Sequence, residues 1–175
     1  REYPFDIRVV YNGPQQWGPA NPLYPEKTGW TATMVGFPYD DVKRWCGPYP
    51  AETWIAQMRK VERGFSGGCA LFEKAIAAMP AERKSAAEKE LAMFRAEMLH
   101  FRSSATQAEF ILARDRKDAS AAKALAAKEL ATAKEYLPLA RADSRVGYEC
   151  SNHYFFTPRD VIEKILGCRG IVGEN

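Results

Sequence analysis

Two stretches of the sequence gather side chains suited to ligand chemistry. The first is Tyr11-Asn12-Gly13-Pro14-Gln15-Gln16-Trp17-Gly18-Pro19-Ala20-Asn21, which sets amides beside aromatic rings. Amides bond sugar hydroxyls in bidentate fashion and a ring covers the apolar face of a pyranose, so Asn12, Gln15, Gln16 and Trp17 are candidate glycan contacts. The alternative is a proline-braced surface loop whose aromatics only pack. The second stretch supplies Arg145, Glu149, Asn152, His153 and Tyr154. Glu149, flanked by Arg145 and His153, suits a charged role in a cleft; its alternative is a salt bridge that pins the loop.

Other combinations fall short of a complete motif. Asp40 and Asp41 lie between Tyr39 and Trp45 and invite a general acid and base. Adjacent residues usually point apart, and an Asp-Asp pair before a helix also reads as capping. Cys150 and His153 are spaced like a thiol and its base, but the sequence supplies neither an orienting third group nor an oxyanion hole. Cys46, Cys69, Cys150 and Cys168 form no Cys-x-x-Cys pair, and the two histidines lack ligand spacing, so no metal or other cofactor is expected. The cysteines read as thiols, mostly buried.

A third group lies on a helix. His100, Ser103, Ser104, Gln107 and Arg114 follow one side of it, with Phe101, Phe110 and Ile111 around them. That apolar surround predicts burial of part of the polar strip under the amino-terminal segment, where it needs partners. Arg102 or Arg114 bonding the loop from Asp143 to Tyr154 would supply one.

The elements that must position these groups follow from composition. Through residue 50 lie eight of the eleven prolines, three of the four tryptophans and five of the eight tyrosines, which forbids a long helix there. Residues 1–50 are expected to be irregular, with one or two short strands at Asp6 to Tyr11 and Thr31 to Gly36, packed on a helical unit spanning residues 51–175. The first helix opens at Pro50 or Ala51 and carries Trp54, Met58, Val61, Phe65, Phe72 and Ile76 as one stripe. Gly67 and Gly68 interrupt it, predicting a bend or a close backbone approach, and Pro80 ends it.

The second helix opens at Pro80 with a stripe of Leu91, Phe94, Met98, Phe101, Ala105, Ala108 and Leu112; run to Lys117, it is about 55 Å long. Asp118 caps the third, which sets Ala126, Leu130, Ala133 and Leu137 against lysines and glutamates on its other side; Pro138 bends or stops it. Loop 142–156 leads to a terminal helix at 157–167, opened by Thr157-Pro158-Arg159-Asp160 and ended by Gly167. Short connections force antiparallel neighbours. The fold class expected is therefore mainly α: an antiparallel three-helix bundle plus a short C-terminal helix, with an irregular proline- and aromatic-rich amino-terminal segment.

At 175 residues the chain can bury a real core. Its net charge of +3 comes from 25 basic and 22 acidic residues that are intermixed, which disfavours nucleic acid. There is no apolar run of the roughly 18 residues a membrane span needs. The chain opens on Arg1 rather than methionine and enters strand-like Ile7 to Tyr11 almost at once, which reads as a processed chain or an excised piece.

Four pieces, Tyr11-Asn-Gly-Pro-Gln-Gln, Met34-Val-Gly-Phe-Pro-Tyr-Asp-Asp41, Phe101-Arg-Ser-Ser-Ala-Thr-Gln-Ala-Glu-Phe110 and the run from Asp143 to Phe155, together resemble the carboxy-terminal region of large bacterial proteins of glycoside-hydrolase type. The resemblance implies that a catalytic barrel precedes this region, with the principal acid and nucleophile upstream and the Asn12 to Trp17 loop near the barrel mouth. It also implies a periplasmic or extracellular setting. Three functions follow as expectations: a helical accessory domain bracing a glycan-facing surface, with glycan and the upstream catalytic domain as partners; a protein interaction or scaffold module without substrate; and a free-standing glycosidase using Glu149 with Asp40 or Asp41.

Overall fold

The computed structural model describes residues 17–30, 40–149 and 154–174. The strand expectations at Asp6 to Tyr11 and Thr31 to Gly36 lie outside them. The described chain is mainly helical: α1 (Val42–Trp45), α2 (Ala51–Ala77), α3 (Ala81–Asp115), α4 (Ala119–Ala142), β1 (Tyr148–Glu149), β2 (Tyr154–Phe155) and α5 (Pro158–Val172). Helix α2 packs on α3, α3 on α4 and α4 on α5, giving the expected bundle with a carboxy-terminal helix beside it.

Local chemistry sets most boundaries. Pro50 and Pro80 stand immediately before α2 and α3, where a missing amide hydrogen leaves no bond unmade. Asp118 accepts from the Ala121 amide at 2.9 Å and so starts α4. Thr157 and Asp160 form a reciprocal capping box at the start of α5, with Pro158 in the first turn.

Two expected stops do not operate. Pro138 lies inside α4, which runs on to Ala142. Pro138 and Lys134 are both exposed, so the carbonyl that loses its donor lies on the solvated side of the helix. Gly167 does not end α5 either. Ile171 and Val172 pack against the core and carry the helix onward to Gly173, whose left-handed backbone (φ 83°) closes it. At the glycines of α2 the helix is continuous, and a Cβ on Gly67 or Gly68 would meet nothing within 4 Å, so no described backbone makes the close approach there.

Helix α3 is the centre of the molecule. Between Ser103 and Ala113 it is buried on nearly every side, because α2, α4 and the amino-terminal segment pack around it. Small residues at Ser103, Ser104, Ala105, Ala108 and Ala113 let all three approach. The main core joins Trp17, Trp45, Trp54, Met58, Phe110 and Leu130. A second cluster centres on Leu99, Tyr136, Val146 and Val161, and a small third one of Cys69, Ile76, Ala87 and Leu91 holds the far end of the α2–α3 hairpin.

Tyr148–Glu149 and Tyr154–Phe155 form a short strand pair, an element absent from the sequence expectation. Tyr148 pairs with Phe155 and Glu149 with Tyr154, antiparallel. Gly147 has φ +93°, and a Cβ there would stand 2.5 Å from the Phe156 carbonyl oxygen, so the turn admits only glycine.

Candidate functional site

Of the nominated glycan contacts, Asn12, Gln15, Gln16, Asn152 and His153 lie outside the described residues, as does Cys150. Trp17 is described, and its position overturns a stacking role for its ring. It is 2 % exposed and meets Trp45 and Trp54 edge-on, with centroids 5.9 and 5.3 Å apart. Such a ring contributes core packing and has no free face for a sugar. Beside it lies a cavity of about 70 Å³, space for a few waters, lined by Asn21, Asp40, Gln107 and Arg114 among others.

Asp40 and Asp41 diverge. Asp40 is buried against Arg114 at 2.6 Å and accepts from the Thr28 amide at 3.1 Å. Asp41 caps α1, accepting from the Lys43 amide at 3.1 Å. Both carboxylates are thus occupied by structural bonds, the capping alternative for Asp41 included.

Arg145 is more than half exposed and forks onto Asp143, at 2.7 Å for its closest contact, with Glu90 at 3.5 Å. The guanidinium hydrogen bonds hold the Asp143 carboxyl down to about 2. The bridge that pins this loop therefore runs from Arg145 to Asp143 and Glu90. Glu149 and Tyr154 are placed directly opposite one another in the strand pair.

The polar strip of α3 behaves as its apolar surround predicts. Ser104 donates to the Trp17 carbonyl, Gln107 to the Gly18 carbonyl at 2.6 Å, and Arg114 to the Tyr24 and Glu26 carbonyls at 3.2 and 3.3 Å. Lys164 of α5 donates to the Asn21 carbonyl at 2.6 Å. Five main-chain carbonyls of residues 17–26 are thereby held by four side chains. An irregular segment has no ladder of its own, so its buried acceptors must be satisfied in this way. The partners proposed for the loop at 143–154 are different in fact: Arg114 turns to Asp40, and Arg102 pairs with Glu62 at 2.8 Å and Glu135 at 3.2 Å.

Beneath this clamp lies a feature the sequence reading missed. Lys164 and Glu129 are both 0 % exposed and lie 2.9 Å apart; Ser103 donates to the same Glu129 oxygen at 2.6 Å, and Gln107 donates to Ser103 at 3.2 Å. Glu129 Oε1 has no hydrogen-bond donor among the described residues. The expected lysine- and glutamate-bearing side of this helix assigns Glu129 to solvent. Its spacing signals otherwise: it stands three residues after Ala126 and four before Ala133, both fully buried. Lys164 likewise lies three residues after buried Val161 and one before Ile165.

The thiols are closed. Cys46, Cys69 and Cys168 are free and buried; burial, with the charges of Glu52 and Asp41, pushes Cys46 up to about 12, and burial pushes Cys168 to about 11. No group of three His, Cys, Asp or Glu among the described residues is arranged to hold a metal ion. No described helix is long and apolar enough to cross a membrane.

Among the described residues three open concavities remain: two charged ones, of about 600 and 440 Å³, share Arg59 and Glu109 in their linings, and an apolar one lies at the far end of the hairpin. An open trough of about 480 Å³ is lined by Val61, Gly64, Phe65, Gly68, Cys69, Phe72 and Phe94, with no charged residue in its lining. Leu71, 70 % exposed, and Phe94, 40 % exposed, stand at this end. No family model, curated protein or solved structure matches the chain.

Proposed function

We propose that this chain is a helical accessory module that works by docking, its clamped half serving as a rigid base and its α2–α3 tip receiving a helix of another polypeptide. The observation that carries this reading is the trough. Its floor is backbone at Gly64 and Gly68, its walls are Phe65, Phe72 and Phe94, and it lies where only two helices are packed together. An amphipathic helix fits such a surface through apolar residues at heptad spacing. The test is titration of the labelled full chain with a synthetic amphipathic helix bearing leucine and phenylalanine at heptad positions. Expected is binding that shifts amide resonances between residues 61 and 72 and near Phe94, with Gly68→Leu weakening it at least roughly tenfold. Shifts spread over the clamped half, or none, would overturn the reading.

A second reading sets the same module in a carbohydrate-active protein, bracing a glycan-facing surface beside an upstream catalytic domain. It is supported by the resemblance in the four sequence pieces and by the strand pair, which brings Glu149 and Tyr154 into direct register a few residues from exposed Arg145. On this reading Glu149→Gln lowers the affinity of the full chain for soluble oligosaccharides while leaving its unfolding midpoint in place. A panel of oligosaccharides that produces no heat of binding with the unaltered chain removes it.

A further inference from the structure

We propose that segment 17–26 and helix α5 form one coupled cover over α3, in which loosening either element loosens the other, and that Lys164 is the link between them. This goes beyond the docking reading and does not draw on the trough.

The coupling rests first on a closed circuit of hydrogen bonds. Lys164 of α5 donates to the Asn21 carbonyl at 2.6 Å and meets Glu129 of α4 at 2.9 Å. Ser103 of α3 donates to the same Glu129 oxygen at 2.6 Å. One turn on, Gln107 donates to Ser103 at 3.2 Å and to the Gly18 carbonyl at 2.6 Å. The Asn21 amide donates to that carbonyl at 3.0 Å and closes the ring. The path leaves the segment through α5, crosses α4 and α3, and returns to the segment.

Burial makes the links depend on one another. Lys164, Glu129 and Ser103 are 0 % exposed and Gln107 2 %. Away from water each bond is electrostatically stronger, and bonds in a chain polarise their neighbours. Lifting the segment takes one acceptor from the Lys164 ammonium and admits water beside it, which weakens the attraction to Glu129 that ties α5 to α4. Drawing α5 away removes the ammonium from the Asn21 carbonyl in turn.

Apolar packing joins the same two elements. Trp17 and Leu23 of the segment share a core cluster with Cys168 of α5, and Ala20 shares a second with Val161; Ile165 packs against both. Val161, Lys164, Ile165 and Cys168 recur at helical spacing, so the face of α5 that carries the ammonium also meets these cores. Helix α5 stands last in the row, packed on α4. It can therefore open without parting the α2–α3 hairpin.

Hydrogen exchange of the full chain in sub-denaturing urea, read residue by residue, tests the inference. Expected is that the amides of Asn21, Ile165 and Cys168 exchange through one opening with a common urea dependence, at lower cost than the amides between Ser103 and Ala113. Gln107→Met cuts the segment's bond to α3 without altering α5. It is expected to speed exchange at Ile165 and Cys168 at least roughly tenfold, and by more than within α3. With Glu129→Leu and Lys164→Met already in place, Gln107→Met should still speed Asn21 and leave Ile165 and Cys168 as the double variant has them.

An α5 that ignores Gln107→Met, or separate urea dependences for Asn21 and α5 in the unaltered chain, overturns the coupling. So does equal acceleration at every amide, which would mark global destabilisation. These comparisons decide it whether or not the apolar pair folds. If α5 responds as strongly in the double-variant background, the link is not Lys164 and that assignment falls.

Discussion

The two halves of this molecule use opposite means. In the clamped half, the irregular segment of residues 17–26 is fixed by polar side chains that reach its carbonyls, over a buried Lys164–Glu129 pair and three packed tryptophans. In the tip, α2 and α3 meet through a small cluster of Cys69, Ile76, Ala87 and Leu91, with glycines and phenylalanines left on the outside. Buried polar groups demand particular partners, whereas apolar surface accepts any of suitable shape. The first half is thereby committed to one internal arrangement, and the second leaves apolar surface uncovered among the described residues.

The comparison breaks most directly at the buried ion pair. Glu129→Ala leaves the Lys164 ammonium inside the protein without its counter-charge, at an expected cost of about 3–5 kcal/mol by urea unfolding. Replacing both groups, with Glu129→Leu and Lys164→Met, is expected to recover most of that loss, since an apolar pair needs no compensation. If the double variant is as unstable as the single one, the pair does more than satisfy itself. Trp17→Ala comes next. Removing a ring packed between Trp45 and Trp54 should cost about 3 kcal/mol, read as a lowered midpoint with helix content kept below the transition. An unchanged midpoint would mean that the ring is not in the core.

The smallest effect is expected at the tip and has the opposite sign. Gly67→Ala meets open space on a continuous helix, so it should stabilise the protein by about 0.5–1 kcal/mol in thermal or urea melts. It lies outside the lining of the trough and should leave binding of the synthetic helix unchanged. A loss of stability at Gly67 would reveal a close approach and make the tip resemble the clamped half.

How much was legible depended on whether the signal was local. The three long helices could be read because proline, aspartate and apolar spacing act over one or two turns; Pro50, Pro80 and Asp118 mark their starts as expected. Burial of the α3 strip was legible too, from the apolar residues flanking Ser103, Ser104 and Gln107. Pro138 and Gly167 misled because each is a local breaker overridden by its surroundings, a solvated carbonyl in one case and a packed Ile171 and Val172 in the other. The strand pair at 148–155 is too short to show a period.

The candidate sites divide along the same line. Composition marked Trp17 as an aromatic among amides, and only the packing decides that it faces Trp45 and Trp54 rather than a ligand. It marked Asp40 and Asp41 as adjacent carboxylates, and only the fold turns one to Arg114 and the other to the start of α1. The sequence by itself determined the helices, because their bonds and capping are made between residues a turn apart. The tertiary structure alone decided which charges are buried and which apolar face stays uncovered. Glu129 and Lys164, or Phe65 and Phe101, are distant in the chain, and their contacts exist only once α5 has packed on α4 and α2 on α3.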